Sequence, residues 1–249
     1  MTAKGWRVYC PATMRLLPKL LLVLLCLAAA LPARAGTVPP PAGAQAAQSW
    51  YLRAAKAGDP LAQYLLAVRY EHGLGIKADA AQAVEWYRAA AQQGLIEAQF
   101  KIGVMRVKGR GVARDYAAAR RWFQLCATEG LIEAQYNLGL MIDQGLGEPR
   151  NAAHAAEWYR AAAEAGLAAA QRRLGRLYEL GDGVHRDYSQ AYFWYEMAAR
   201  QGDAEAMAAR DHLVGDMSGR DQEAASEQIS TRLRESRAPA FPKTPVGKK

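Results

Sequence analysis

The sequence predicts an all-α fold, a right-handed α/α superhelical solenoid of 36-residue helix-turn-helix repeats. Three observations carry this expectation. Trp50, Trp86, Trp122, Trp158 and Trp194 stand 36 residues apart, each followed by an aromatic residue (Tyr51, Tyr87, Phe123, Tyr159, Tyr195). Eight residues after each Trp comes Gly58, Gly94, Gly130, Gly166 or Gly202. A second set recurs four times: Gly73, Gly109, Gly145 and Gly181, then Gly75, Gly111, Gly147 and Gly183, then Asp79, Asp115, Asn151 and Asp187. A helical hairpin repeated in this way cannot bury its apolar face alone, so neighbouring copies must stack.

The first element in chain order is an export signal rather than part of the fold. Residues 16–31 are apolar apart from Pro18 and Lys19, with Arg15 upstream and Pro32-Ala33-Arg34-Ala35 downstream. This is the order of a basic region, an apolar core and a small-x-small cleavage site, so residues 1–35 read as a cleavable signal peptide. The uninterrupted run from Leu20 to Leu31 has 12 residues, whereas a membrane-spanning helix needs about 20. No membrane span is therefore expected after cleavage, and the protein should be periplasmic or secreted. Cys26 follows Leu24-Leu25 rather than small residues, which argues against lipidation. Met14 stands just ahead of the basic region, so residues 1–13 read as an upstream extension. Cys10 and Cys26 leave with the signal and only Cys126 remains, so no intramolecular disulfide is available. Residues 36–44 form a Pro-rich linker.

The repeats follow over 45–236, as a half-repeat (45–58), four full copies (59–94, 95–130, 131–166, 167–202) and a partial copy with a cap (203–236). In each full copy, helix A precedes the glycine pair and helix B follows it. In the first, Asp59 is the expected N-cap and Pro60 the first helical residue, where its missing N–H costs nothing. Helix A then runs to about His72, where Gly73 and Gly75 supply positive φ. Asp79 caps helix B, with Gln82 completing a capping box as Gln190 does after Asp187. Ala62, Leu66, Ala67, Tyr70 and Gly73 share one face of helix A. Ala83, Trp86 and Ala90 form the matching stripe on helix B. The indoles are expected to fill the space between helices, so Trp122→Ala should cost about 3–5 kcal/mol. Asp221 to Arg234 reads as an amphipathic capping helix, and residues 237–249 as a disordered basic tail.

The run Ala170-Leu174-Gly175-Tyr178-Gly181-Gly183-Val184-Asp187-Ala191-Trp194-Tyr195-Ala198-Ala199-Gly202 resembles the Sel-like repeat family, relatives of the tetratricopeptide repeats. Arg106 and Ile142 depart from the pattern at the helix A Tyr, Glu148-Pro149 in the third loop, and Cys126 at a helix B Ala. The resemblance implies a scaffold or regulator that binds proteins. Some exported, cysteine-rich family members are linked to β-lactam binding or hydrolysis, which keeps open a cell-wall-directed enzyme or binder. Those members carry a cysteine pair in each repeat, and this chain has none.

Charge and motifs narrow the function. The chain carries 32 Lys and Arg against 24 Asp and Glu, but nine of the basic residues lie in residues 1–35 and 237–249, which hold no acid. The segment between is close to neutral, which argues against a nucleic-acid partner. No nucleophile elbow, zinc-binding H-E-x-x-H or phosphate loop is present. His72, His154, His185 and His212 occupy unrelated slots, and Cys126 reads as a small buried filler. No catalytic, cofactor or metal residue is assigned.

A partner surface is expected on helix A, which lines the concave side by analogy with related repeats. Residues that differ between copies are those that packing does not dictate. They include Leu65, Lys101, Asn137 and Arg173 at one slot, and Val68, Val104, Leu140 and Arg176 at the next. The groove would thus run from apolar in the first copies to cationic in the fourth, where Arg172 joins Arg173 and Arg176 in a cluster. The expected partner is a protein or peptide with an acidic segment, held by charge-assisted contacts.

Overall fold

The computed structural model describes residues 44–237, and every secondary-structure element among them is helical. The signal peptide, most of the linker and the basic tail lie outside the described residues. The helices are α1 (Ala44–Lys56), α2 (Pro60–His72), α3 (Ala80–Gln92), α4 (Ile96–Lys108), α5 (Tyr116–Thr128) and α6 (Ile132–Asp143). They continue with α7 (Ala152–Glu164), α8 (Ala168–Leu180), α9 (Tyr188–Ala199), α10 (Ala204–Leu213) and α11 (Gly219–Arg237), with a short 3-10 turn at Val214–Asp216. No described helix is long and apolar enough to cross a membrane. The described residues divide into two compact units, the boundary falling after Trp158 within α7.

Helix ends follow the sequence signals closely. Asp59 accepts the Ala62 N–H at 2.7 Å with Pro60 at the first position of α2. Gly73 ends that helix at φ 70° and donates its N–H to the Arg69 carbonyl. Asp79 accepts the Ala81 and Gln82 N–H groups, both at 3.0 Å. The capping box is only half as expected. The Asp79 N–H, which Gln82 would have taken, goes to the Tyr70 carbonyl at 2.9 Å, and the Asp187 N–H goes likewise to Tyr178 at 3.0 Å. The start of helix B is thereby tied to the preceding helix A across the turn.

In the first unit each of the helices α1 to α5 packs on the one that follows it. The helix A stripe is buried as expected at Ala62, Leu66 and Ala67, and again at Ala98, Ile102 and Gly103. The small residues serve a specific neighbour: a Cβ at Gly103 would lie 2.7 Å from the Phe123 ring. Tyr87 and Phe123 are fully enclosed, packed in tilted pairs against Tyr64 and Phe100 with ring centroids 5.5 and 5.4 Å apart. Trp86 and Trp122 are only half-buried against the same core. The indoles pack between helices as expected, but the aromatic one position later is the more deeply enclosed of the two. Gly111 has φ 70°, and any Cβ there would strike the Ala80 carbonyl, so the turn of one copy rests on the start of helix B in the copy before.

In the second unit α8 packs on α9, and α9 on both α10 and α11. Ala170, Leu174 and Gly175 repeat the buried stripe, with Tyr195 2% exposed above Gly175. At the apolar slot lost from the partial copy, Arg210 bonds to Glu196 at 2.7 Å and to Asp211 at 2.6 Å. Helix α11 covers the end of this unit, burying Ala225 against Ala191, Tyr195 and Leu213.

Candidate protein-interaction surface

The helix A face of the first unit is less open than variation between copies implies. Leu65 and Val68 on α2 are half-buried. Lys101, Val104 and Leu140 are 7%, 5% and 3% exposed, and Asn137 is fully enclosed, its Nδ2 donating to the Glu133 carbonyl at 2.7 Å. The expectation that these four lie on an open groove is corrected. They differ between copies because each meets a different local environment inside the stack.

Lys101 shows what such an environment is. Its Nζ lies 3.2 Å from the Oε2 of Glu71, a buried residue one copy earlier. The Tyr87 hydroxyl donates to the same oxygen at 2.6 Å. Arg110 Nη2 donates to the Glu71 main-chain carbonyl at 2.7 Å, and the His72 ring lies 3.7 Å from the carboxylate. Burial pushes the Glu71 carboxyl up, but Lys101, the Tyr87 hydrogen bond and His72 more than reverse this and hold it below the ordinary glutamate value. The Tyr87 hydroxyl is raised well above its usual range by burial and by the Glu71 charge. Burial, aided by Lys101 and Arg110, outweighs Glu71 and lowers the His72 pKa.

In the second unit, Arg172 bonds to Asp203 at 3.0 Å and Glu205 at 2.8 Å, so its charge ties α8 to the start of α10. Arg173 is half-buried and Arg176 is exposed. Leu180, seven residues beyond Arg173 on the same helix, is 58% exposed. The surface the structure leaves accessible here is therefore Arg176 and Leu180 beside Arg173.

Two recurring features escaped the sequence reading. The amides of Gln63, Gln99, Gln135 and Gln171 donate to the carbonyls of Ala55, Ala91, Ala127 and Ala163 at 3.1–3.3 Å, closing the C-terminal end of each preceding helix B. Their 36-residue spacing was visible in the sequence. The second feature is the tyrosine–glutamate pair, which recurs as Tyr195 donating to Glu179 at 2.5 Å. In the second copy both partners are apolar, Phe123 and Val107, and this matched exchange was the available signal.

Chemistry is sparse elsewhere. Cys126 is enclosed, and burial pushes its thiol up to about 12. Among the described residues no three His, Cys, Asp or Glu side chains converge as metal ligands do. An open cleft of about 430 Å³ lies between α9 and α11, lined in part by Phe193, Gln228 and Arg232.

The comparisons with known proteins agree with this architecture. The model of the Sel1 repeat matches residues 35–59, 60–95, 96–131, 132–167 and 168–203. A search of curated proteins finds no match. Among solved structures, the chain is similar to a protective antigen of uropathogenic Escherichia coli displaying an SLR fold, with 34% identity and a TM-score of 0.68. That match covers 81% of this chain and 46% of the antigen, so this chain spans under half of that relative's length. A Sel1 repeat protein from Oxalobacter formigenes is 33% identical with a TM-score of 0.64, covering 78% of this chain and 80% of the other.

Proposed function

Since the chain belongs to the Sel1 repeat family, we propose that it is an exported, non-catalytic scaffold or regulator that binds a protein or peptide with an acidic segment. The observation that carries this reading is the accessible end of α8. Arg176 and Leu180 are exposed on a helix A face whose repeated residues are all committed to packing. An exposed guanidinium beside an exposed aliphatic side chain suits a segment that offers one carboxylate and one apolar residue. Leu65 and Val68 provide a second, more apolar contact region on the first unit. Export rests on the leader-like residues 1–35, and the likeness to a protective antigen supports a place in the periplasm or outside the cell.

The test is photo-crosslinking in the native envelope, with p-benzoylphenylalanine in place of Leu180, or of Arg88 on helix B as a control. A discrete adduct from position 180 alone is expected, lost when Arg173→Glu and Arg176→Glu are introduced together while helical content is unchanged. Equal adducts from both positions, or capture that survives the charge reversal, would remove the assignment.

A further inference from the structure

The exposed side of helix B is altered in α9. Immediately before the recurring Trp stand Glu85, Arg121 and Glu157, all exposed, whereas the fourth copy has Phe193, 9% exposed. Helix α11 packs on α9 here. Its Gln228 accepts from Gln190 at 3.0 Å, and Arg232 Nη2 donates to the Glu164 carbonyl at 3.0 Å.

The packing leaves the cleft of about 430 Å³ open between the two helices. Ala224, Glu227, Thr231, Arg232 and Glu235 line it together with Phe193. On α11 they lie at i, i+3, i+7, i+8 and i+11, a single helix face. Arg232 is already bonded to the Glu164 carbonyl and stands 3.9 Å from Glu235. Glu227 has no cation within 4.0 Å among the described residues. An aromatic floor bordered by carboxylates suits an apolar side chain with a cation close behind it.

The chain that follows α11 has this composition. Residues 238–249 lie outside the described residues; they hold Phe241, Lys243, Lys248 and Lys249 and no acid, and Pro239, Pro242 and Pro245 oppose continuation of the helix. From Arg237 back to Glu227 the helix rises about 15 Å, while six extended residues reach about 20 Å. Residues 238–243 are thus long enough to reverse and run the length of the lining face. We propose that this segment doubles back along α11 and closes the cleft, with Phe241 against Phe193 and Lys243 beside Glu227. Its tether holds it at an effective concentration in the millimolar range, so contacts too weak to capture a free peptide suffice. The strap is separate from the partner surface on α8 and does not depend on it.

Nitrogen relaxation of the labelled full chain reads the order of this segment, and ring-to-ring NOEs read its contact. Order parameters above about 0.6 are expected at the Phe241 and Lys243 amides, with an NOE between the Phe241 and Phe193 rings. Phe241→Ala, which alters no described helix, should bring the Lys243 amide below about 0.6 at an unchanged melting temperature. Glu227→Lys should loosen the segment, and Lys243→Glu in the same chain should restore its order. Order parameters below about 0.6 in the parent, order that survives Phe241→Ala, or an ordered Phe241 with no NOE to Phe193 would each overturn the proposal. So would order that grows with protein concentration, which assigns the cleft to a second copy.

Discussion

Phe123 occupies space that a glycine one helix away leaves for it, and this dependence makes its truncation costly. Phe123→Ala should lose about 3–5 kcal/mol, because the cavity would open among fully enclosed neighbours. Trp122→Ala should lose about 2 kcal/mol or less, since part of its indole already meets water. Chemical denaturation of the two variants checks the order, and a larger loss at Trp122 would show that the indole is the core residue. Gly103→Ala should also destabilise, by forcing the Phe123 ring aside. Charge at this scale gives a pH dependence. The native Glu71 carboxyl sits below its unfolded value, so its contribution is present above about pH 4.3 and is lost as pH falls through the native value. Native His72 also binds its proton less readily than the unfolded chain, so stability begins to fall below about pH 6.5. Urea midpoints of His72→Gln should decline less than those of the parent between about pH 7 and about pH 5.

A helix in this chain is defined by its ends and by the neighbour that closes them. Asp115 accepts the Ala118 N–H at 2.9 Å, and Asp115→Ala should cost about 1 kcal/mol by leaving that donor to water. Gln99→Leu should cost more than an exposed Gln-to-Leu change, because the Ala91 carbonyl would lose one of its two donors and keep only the Gly94 N–H at 3.0 Å. Hydrogen exchange should then show faster opening at the end of α3. Most helix boundaries were legible in the sequence, since Asp-Pro, Asp and Gly act through local backbone chemistry. What each face buries was less so. Trp122 and Phe123 recur with equal regularity but point about 100° apart, and periodicity alone cannot rank them. Lys101 and Asn137 looked like surface residues because they vary, yet variation also arises where a buried site meets a different partner in each copy. The partner of Lys101 lies 30 residues away, a contact that no local pattern encodes.

At the scale of the whole chain, the two compact units are capped and charged differently. The second ends on α11, whose Ala225 is fully enclosed and whose Gln228 accepts from Gln190 at 3.0 Å. Ala225→Asp should destabilise that unit by more than about 2 kcal/mol through an unpaired buried carboxylate, and it should raise binding of a hydrophobic dye. The formal charge of +8 belongs to the two ends of the sequence, so salt should have little effect on the stability of the repeat segment. The repeated residues build the stack, and the accessible residues that differ between copies are left to recognise a partner. A substitution scan that scores protease resistance and envelope capture on the same variants tests this division most directly. Changes at Phe123, Tyr195, Gly103 and Gln99 should lose both properties, while changes at Arg176 and Leu180 should lose capture and keep resistance. Capture that disappears only in variants that also lose resistance would contradict it.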